Sequence, residues 1–565
     1  MTGGPIDAGP ALAGWGLGLP AWVLVLVPAW PLALAALALV PPLRGTALRL
    51  APWSALPALL LAVLGPAAGQ PLPGLLLGAS LALDAAGRWL LGAVALLWLA
   101  CGRLAAGRLR QSRRLLAFLL AMTGALWLPL AADLPSMLAA SVLAAYPLYG
   151  WLGGARGARV LLASVVVADL LILEAVLLLA KGAAGLDIGA LRTALAEAPG
   201  GGIVLALLVI GFGVKAGLMG LHYWLAPTLT EARGSRSGAV AAFVLAAGLL
   251  PWLRLLPLGS VHWPAAAELL PWLALAGCGW AVVAGALQAA PRATVAYTLS
   301  GLASFWLGLL GLGLDAPVAP PPMAGLLPAA LAVSALGTAA LLLAGGAVHR
   351  HGGLAGWGLA LLAAMLVALA VLGAAVPAVA GGDTVPWALT GSLVCVGILL
   401  GASATAAAAR ADQTGPESQT RWGAGLVAAG ILMAVLTVRP LSDAMASAGI
   451  GSGNRLIASS AALFGGFVVG LVAPSACARL PRVPPGDLLV VIERVAAAGG
   501  AAWNRFGTAV GHCCGRLPVV VGRARPRAAR PAVIDRTEAL LRRWSTATLL
   551  LLAAGAAMAL LARLG

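Results

Sequence analysis

The chain has 565 residues, of which 61% are hydrophobic and 9% charged, with a formal net charge of +17. Its mean hydropathy of +1.00 exceeds what a soluble fold of this length can bury. Runs of about 20 apolar residues recur along it, each long enough to cross a hydrocarbon core about 30 Å thick. The composition reads as an all-α polytopic membrane protein, without the alternation of a membrane β-barrel.

In chain order, the N-terminal MTGGPIDAGPALAGW has no basic region ahead of an apolar stretch, so no cleaved signal peptide is expected. About sixteen spans follow, with boundaries good to a few residues. They are centred on 20–40, 51–66, 76–101, 115–132, 135–153, 159–180, 201–222, 237–257, 267–290, 294–314, 324–348, 354–376, 386–408, 423–438, 455–477 and 546–563. Every second loop is basic, carrying Arg44 and Arg49, Arg103 to Arg114, Arg156 and Arg159, Arg233 and Arg236, Arg292, Arg350, then Arg410 and Arg421. The alternate loops carry Asp84, Asp133, Asp315 and Asp383. The positive-inside rule then places the basic loops in the cytoplasm and both termini outside, in a prokaryotic plasma (inner) membrane. The same distribution argues against nucleic acid as a partner and for the lipid bilayer.

Residues 479–545 are an Arg- and Pro-rich stretch that reads either as an amphipathic helix on the cytoplasmic surface or as a solvated basic loop. The six cysteines are scattered and read as reduced and unpaired. No P-loop, dinucleotide fingerprint or zinc-protease motif occurs. No metal or cofactor is expected, nor a reaction catalysed by this chain alone; any oxidoreductase or antiporter activity would belong to a larger complex.

Ionisable groups inside spans are scarce, and each is a functional hypothesis because insertion scales put its cost at ~2.5–3.5 kcal/mol. The chain has only two lysines, Lys181 and Lys215, among 35 basic residues. Lys215 sits within the apolar seventh span, in VKAGLMGLHYWLAP at residues 214–227. Asp169 and Glu174 lie in the sixth span, Asp169 near its midpoint. His222 is seven residues beyond Lys215, a spacing that puts both on one face of a continuous helix. The surrounding glycines and Pro227 also allow local unwinding where backbone lines a polar cavity. Burial disfavours a charged amine and a nearby carboxylate favours it. A buried lysine can therefore release a proton where arginine cannot. Read structurally, the same pair only pins the sixth and seventh spans together.

The seventh-span stretch resembles the signature of the antiporter-like membrane subunits found in respiratory complex I, in hydrogenase-4 component B type hydrogenases and in Mrp cation/proton antiporters. That signature is a lysine, two small residues, then Pro-Leu-His-x-Trp-Leu-Pro. Lys215, Leu221, His222, Trp224 and Leu225 match it, and Gly220 and Ala226 replace its prolines. ALQAAPRATVAYTLS resembles a second family motif through Gln288, Arg292, Ala296 and Tyr297, and SALGTAALLLAGGAV a third.

The resemblance implies two inverted five-helix repeats, with broken helices at the seventh and twelfth spans. It divides the chain into helices 1–3 (1–114), a first repeat (115–257), a degenerate second repeat (258–408), two further helices (409–478), the basic segment (479–545) and a final helix (546–565). It implies a proton route along buried lysines, histidines and a glutamate, with other membrane subunits as partners and H⁺ or Na⁺ as the ion. The family glutamate would fall near Val142, where no carboxylate exists. The eighth-span basic positions fall among residues 241–247. Ser334 and Thr338 stand where the eleventh span would carry histidine and lysine, and only Asp383 is charged near the twelfth-span lysine position. Asp169, or else Glu174, is the candidate replacement partner for Lys215. Three readings stay open: a proton-relaying subunit of an ion-translocating complex, a non-conducting scaffold of the same fold, and an independent secondary transporter.

Overall fold

The structure is a computed structural model that describes residues 20–65, 67–74, 78–197, 201–261, 263–315, 321–343, 365–366, 369, 386–409, 454–476 and 482–483. The spans expected at 423–438 and 546–563, Asp383, all but three residues of the span expected at 354–376 and nearly all of the basic segment lie outside the described residues. The chain divides into two units, residues 1–72 with 79–487, and 73–78 with 488–565. The elements below belong to the first unit.

Helix α1 (Val23–Leu39) ends at Val40, and the chain bends by 119° into the segment Pro41–Trp53, which contains α2 (Arg44–Leu50). Prolines cannot donate to a helix ladder, and Pro41, Pro42, Pro52 and Pro57 punctuate this stretch. As a result the expected second span shortens to the nine-residue α3 (Leu56–Leu64). The expected third span also begins later than its apolar run. Its first residues form the strand β2 (Ala79–Leu83) instead, antiparallel to β1 (Ala68–Leu72) just ahead of the expected span, with Ala68 opposite Leu83. Pro71, Pro73 and Gly74 bar a helix there, and ASLAL alternates buried and half-buried positions as a strand does.

From Asp84 onward the helices follow the expected order. They are α4 (Ala85–Ala105), α5 (Ser112–Trp127), α6 (Leu134–Leu152), α7 (Arg156–Ala180), the short α8 (Ile188–Glu197), α9 (Gly201–Ala216) and α10 (Leu225–Glu231). The next span is α11 (Ser235–Phe243), a π-helical turn at Val244–Leu249 and α12 (Leu250–Leu255). Pro251 lies just past that turn, where its ring would crowd the carbonyl of Ala247 in a regular helix; the wider turn relieves this. After it come α13 (Pro264–Ala286), α14 (Pro291–Leu312), α15 (Pro321–Leu343), α16 (Trp387–Ala409) and α17 (Asn454–Ala476). Seven described helices, or up to eight spans with the bent pair, are long and apolar enough to cross a membrane.

Burial separates the centre from the rim. The spans Ser235–Leu255 and Pro291–Leu312 are wholly buried, whereas Arg156–Ala180 and Pro264–Ala286 bury less than half of their length. Close approach comes from small residues. On α16 and α17, Gly397 and Gly401 face Gly466 and Gly470, and a methyl on any of the four would collide with the opposing backbone. Gly124 of α5 lies in the same way against the backbone of α6.

The aspartates of the non-basic loops have a local task. Asp84 accepts from Gly87 N at 2.6 Å, Asp133 from Ser136 N at 2.7 Å and Asp187 from Ala190 N at 2.9 Å. Each is the N-cap of the following helix, satisfying one of its orphan donors. Asp133 is buried and takes three more bonds, from the Ser80 backbone N–H, from Ser80 Oγ at 2.7 Å and from Ser136 Oγ at 3.2 Å. Asp133→Ala therefore leaves buried donors unpaired as well as removing a cap, and is expected to cost about 2–3 kcal/mol, against about 1 kcal/mol for Asp187→Ala. Thermal unfolding of the two purified variants in detergent checks that order.

Candidate functional site: a buried ion pair beside a helix break

The seventh span does not run through its own signature. Helix α9 stops at Ala216, and Gly217 adopts a left-handed φ of 71°. Leu218 N donates to Gly213 O at 2.8 Å and Gly217 N to Val214 O at 3.2 Å, the paired bonds of a Schellman ending. Gly220, with φ 79°, turns the chain again, and a 3₁₀ turn at His222–Trp224 leads into α10. Only glycine takes these two backbone conformations without strain.

Trp224 closes the break. Its side chain is fully buried, and Nε1 donates to the carbonyl of Val214 at 2.6 Å. Beyond it, Thr228 Oγ1 donates to Gly157 O at 2.9 Å, and Gly157 N donates to Glu231 at 2.7 Å. These bonds tie α10 to the start of α7, so both half-helices are referenced to the helix that carries Asp169.

Lys215 lies in the last turn of α9, with 1% of its side chain exposed. Its ammonium donates to Asp169 Oδ1 at 2.5 Å and to Ser141 Oγ at 2.6 Å. Three helices therefore meet at one nitrogen: α9 supplies the amine, α7 the carboxylate and α6 the hydroxyl. The Asp169 side chain is 19% exposed. Its Oδ2 makes no hydrogen bond of ordinary geometry to a described residue, although Tyr146 of α6 lies nearby. The fit depends on small residues. Gly211 lets α9 approach Ile172 and Ala168 of α7, and Gly248 of the π-helical turn lies against the backbone of Ala216.

No protein-family model matches the chain, and no curated protein matches it either. Solved structures do. A chain in the structure of the Mrp complex from Dietzia sp. DQ12-45-1b superposes with TM-score 0.60 at 16% identity, over 96% of this chain and 62% of that one. A chain of respiratory complex I from Thermus thermophilus, solved with bound NADH, gives TM-score 0.56 at 20% identity, over 78% of this chain and 99% of that one. This is the antiporter-like membrane-subunit fold. The chain spans less than two thirds of the Mrp chain it resembles.

Within the antiporter-like fold the other expected residues fall into separate places. His222 is 2% exposed and sits beyond the break, not on a helical face shared with Lys215. Its ring packs edge-on against Tyr297 of α14, with centroids 5.4 Å apart. Glu174 follows Asp169 by five residues, a rotation of about 140° around α7, so it is exposed on the opposite face. Gln288 is buried; its Nε2 donates to Ala284 O at 2.9 Å, and its backbone carbonyl accepts from Arg482 at 3.2 Å. Arg292 is half-buried in the first turn of α14.

Ser334 and Thr338 are buried in α15, but their hydroxyls turn back onto their own helix. Ser334 donates to Ala330 O at 2.7 Å and Thr338 to Ser334 O at 3.0 Å. Sequence reasoning did not single out a hydroxyl pair in the flanking helices: Thr298 and Ser403 bond at 2.6 Å between α14 and α16. Ser141 was also missed. Its signal was faint, a single hydroxyl in AASVLAA next to the position at which the family glutamate was expected. Among the described residues, no three His, Cys, Asp or Glu side chains converge to hold a metal.

The break itself is testable. Gly217→Ala forces a left-handed alanine and brings its methyl within 2.8 Å of Leu225, whereas Gly220→Ala meets open space. The expected cost is about 1–2 kcal/mol for Gly220→Ala and more for Gly217→Ala. Melting temperatures of the purified variants check this, and equal values would remove Leu225 from the account.

Proposed function

We propose that this chain is a membrane subunit of an ion-translocating complex, and that it relays protons through Lys215 and Asp169. The observation that carries the reading is the buried ammonium held by one carboxylate and one hydroxyl beside a broken helix. In this arrangement the proton of Lys215 has a short route to the carboxylate. Moving it across turns an ion pair into a neutral pair, and the two states differ mainly in how well their surroundings solvate charge. A small change in hydration or in a neighbouring charge can then shift the proton. Ser141 can donate or accept, so it can serve the amine in either state. The backbone freed at the break, and the buried His222 beyond it, give the relay polar neighbours at membrane depth.

Two solved structures with this fold are of an Mrp complex and of respiratory complex I; that supports the placement in a multisubunit membrane assembly. H⁺ is the ion the amine and carboxylate suit best, with Na⁺ the alternative.

A second reading has its own observation. The described second half offers hydroxyls that bond within the protein where a relay needs groups that change charge. On that reading the chain is a scaffold that seals the membrane and holds its neighbours.

Proton flux by the native assembly separates the two. Lys215→Arg keeps the charge but cannot release its proton at physiological pH, and Asp169→Asn removes the acceptor. On the relay reading each variant lowers flux at least tenfold while the assembly stays intact by size-exclusion chromatography. Unchanged flux in both leaves the scaffold.

A further inference from the structure

Glu174 is left without a task by the relay. It is exposed in the middle of a stripe of exposed apolar residues on α7: Leu170 is 62% exposed, Leu173 44% and Leu177 53%. The basic ends of the span set its depth. From Arg159 to Lys181 the helix rises about 33 Å, and Glu174 lies about 10 Å inside the Lys181 end. No described residue bonds or pairs with it. Together with Leu177, Leu178, Ala180 and Lys181 it lines an open groove on this face.

Neither lipid nor a second copy suits such a group. An acidic side chain facing hydrocarbon is among the costlier things a membrane helix can carry. A lipid headgroup lies at the interface, about 10 Å from the carboxyl. Two copies of this chain joined on this face by a twofold axis along the membrane normal would put carboxyl against carboxyl at equal depth, like against like. A helix from another chain, with a basic side chain at that depth, removes the cost and gains a charge-assisted hydrogen bond.

We propose that this face of α7 is where a partner membrane subunit docks, through a transmembrane helix whose basic side chain meets Glu174. The proposal rests on the reading of the chain as a subunit of a complex. It adds the face and the chemistry of the contact.

The test uses a fluorescent cyclohexyl carbodiimide, which attacks protonated carboxyl groups reachable from lipid. The native complex in membranes and the same chain stripped of its partners in detergent are labelled in parallel, and the labelled peptide is mapped by mass. Glu174 is expected to label at least fivefold less in the complex, and Glu174→Gln to abolish that label in the stripped chain. Glu174→Arg should lower partner recovery at least fivefold while leaving the melting temperature of the stripped chain unchanged, because the side chain is exposed within the chain itself. Equal labelling in complex and stripped chain overturns the docking face and leaves the subunit reading standing. Protection in an assembly made only of copies of this chain overturns the partner helix. A chain that purifies alone from native membranes overturns both.

Discussion

An ammonium group in a membrane interior needs acceptors that water would otherwise supply, and much of this fold is arranged around supplying them to Lys215. Asp169 and Ser141 come from two other helices, so α6, α7 and α9 must be in register at one depth. That register relies on close contacts at Gly211 and Gly248, and on the half-helix α10 being tied back to α7 through Thr228 and Glu231. Such a pair is a poor device for stability. Buried ion pairs are often no better than apolar residues of the same volume, yet removing one partner costs about 3–5 kcal/mol. Three apolar helices could be joined more simply by leucines. The arrangement makes sense if the two protonation states are both used.

The two halves of the fold spend their polar groups differently. In the first, amine, carboxylate and hydroxyl meet across helices. In the described second half, Thr298 and Ser403 join α14 to α16, while Ser334 and Thr338 bond within α15. A hydroxyl can pass a hydrogen bond along but cannot store charge. If a proton moves through the first half, then the second half contributes packing, or another subunit completes the route.

The membrane class and most of the helix order were legible from the apolar runs, since length and hydropathy are what a bilayer selects. Where the order failed, at α3 and at the hairpin before α4, prolines and glycine overrode hydropathy. Lys215 and Asp169 were legible because charge inside an apolar run is rare. Their pairing was legible only down to two carboxylates, Asp169 and Glu174; the structure decides for Asp169 and leaves Glu174, five residues on, exposed on the other side of α7. Ser141 was not legible, since serine is common in membrane helices and one hydroxyl carries no pattern. The break at Gly217 was suggested by glycine density, but its consequence for His222 was hidden: a seven-residue spacing means a shared face only while the helix continues.

Arg254 shows by contrast what Lys215 is suited to. It is also buried, with a side chain 7% exposed, and it donates to the carbonyls of Ala131 and Pro129 at 2.5 Å each and to Asp84 at 3.1 Å. Asp84 at the same time caps α4. Here a planar fork with several fixed acceptors locks loops and helix ends together, and a permanent charge is an advantage because the lock never opens. At Lys215 the acceptors are two, and one of them can take the proton itself. The chain uses arginine for nearly every cation and keeps lysine at two positions. One of these is Lys215, whose ammonium meets a carboxylate and a hydroxyl where Arg254 meets fixed carbonyls.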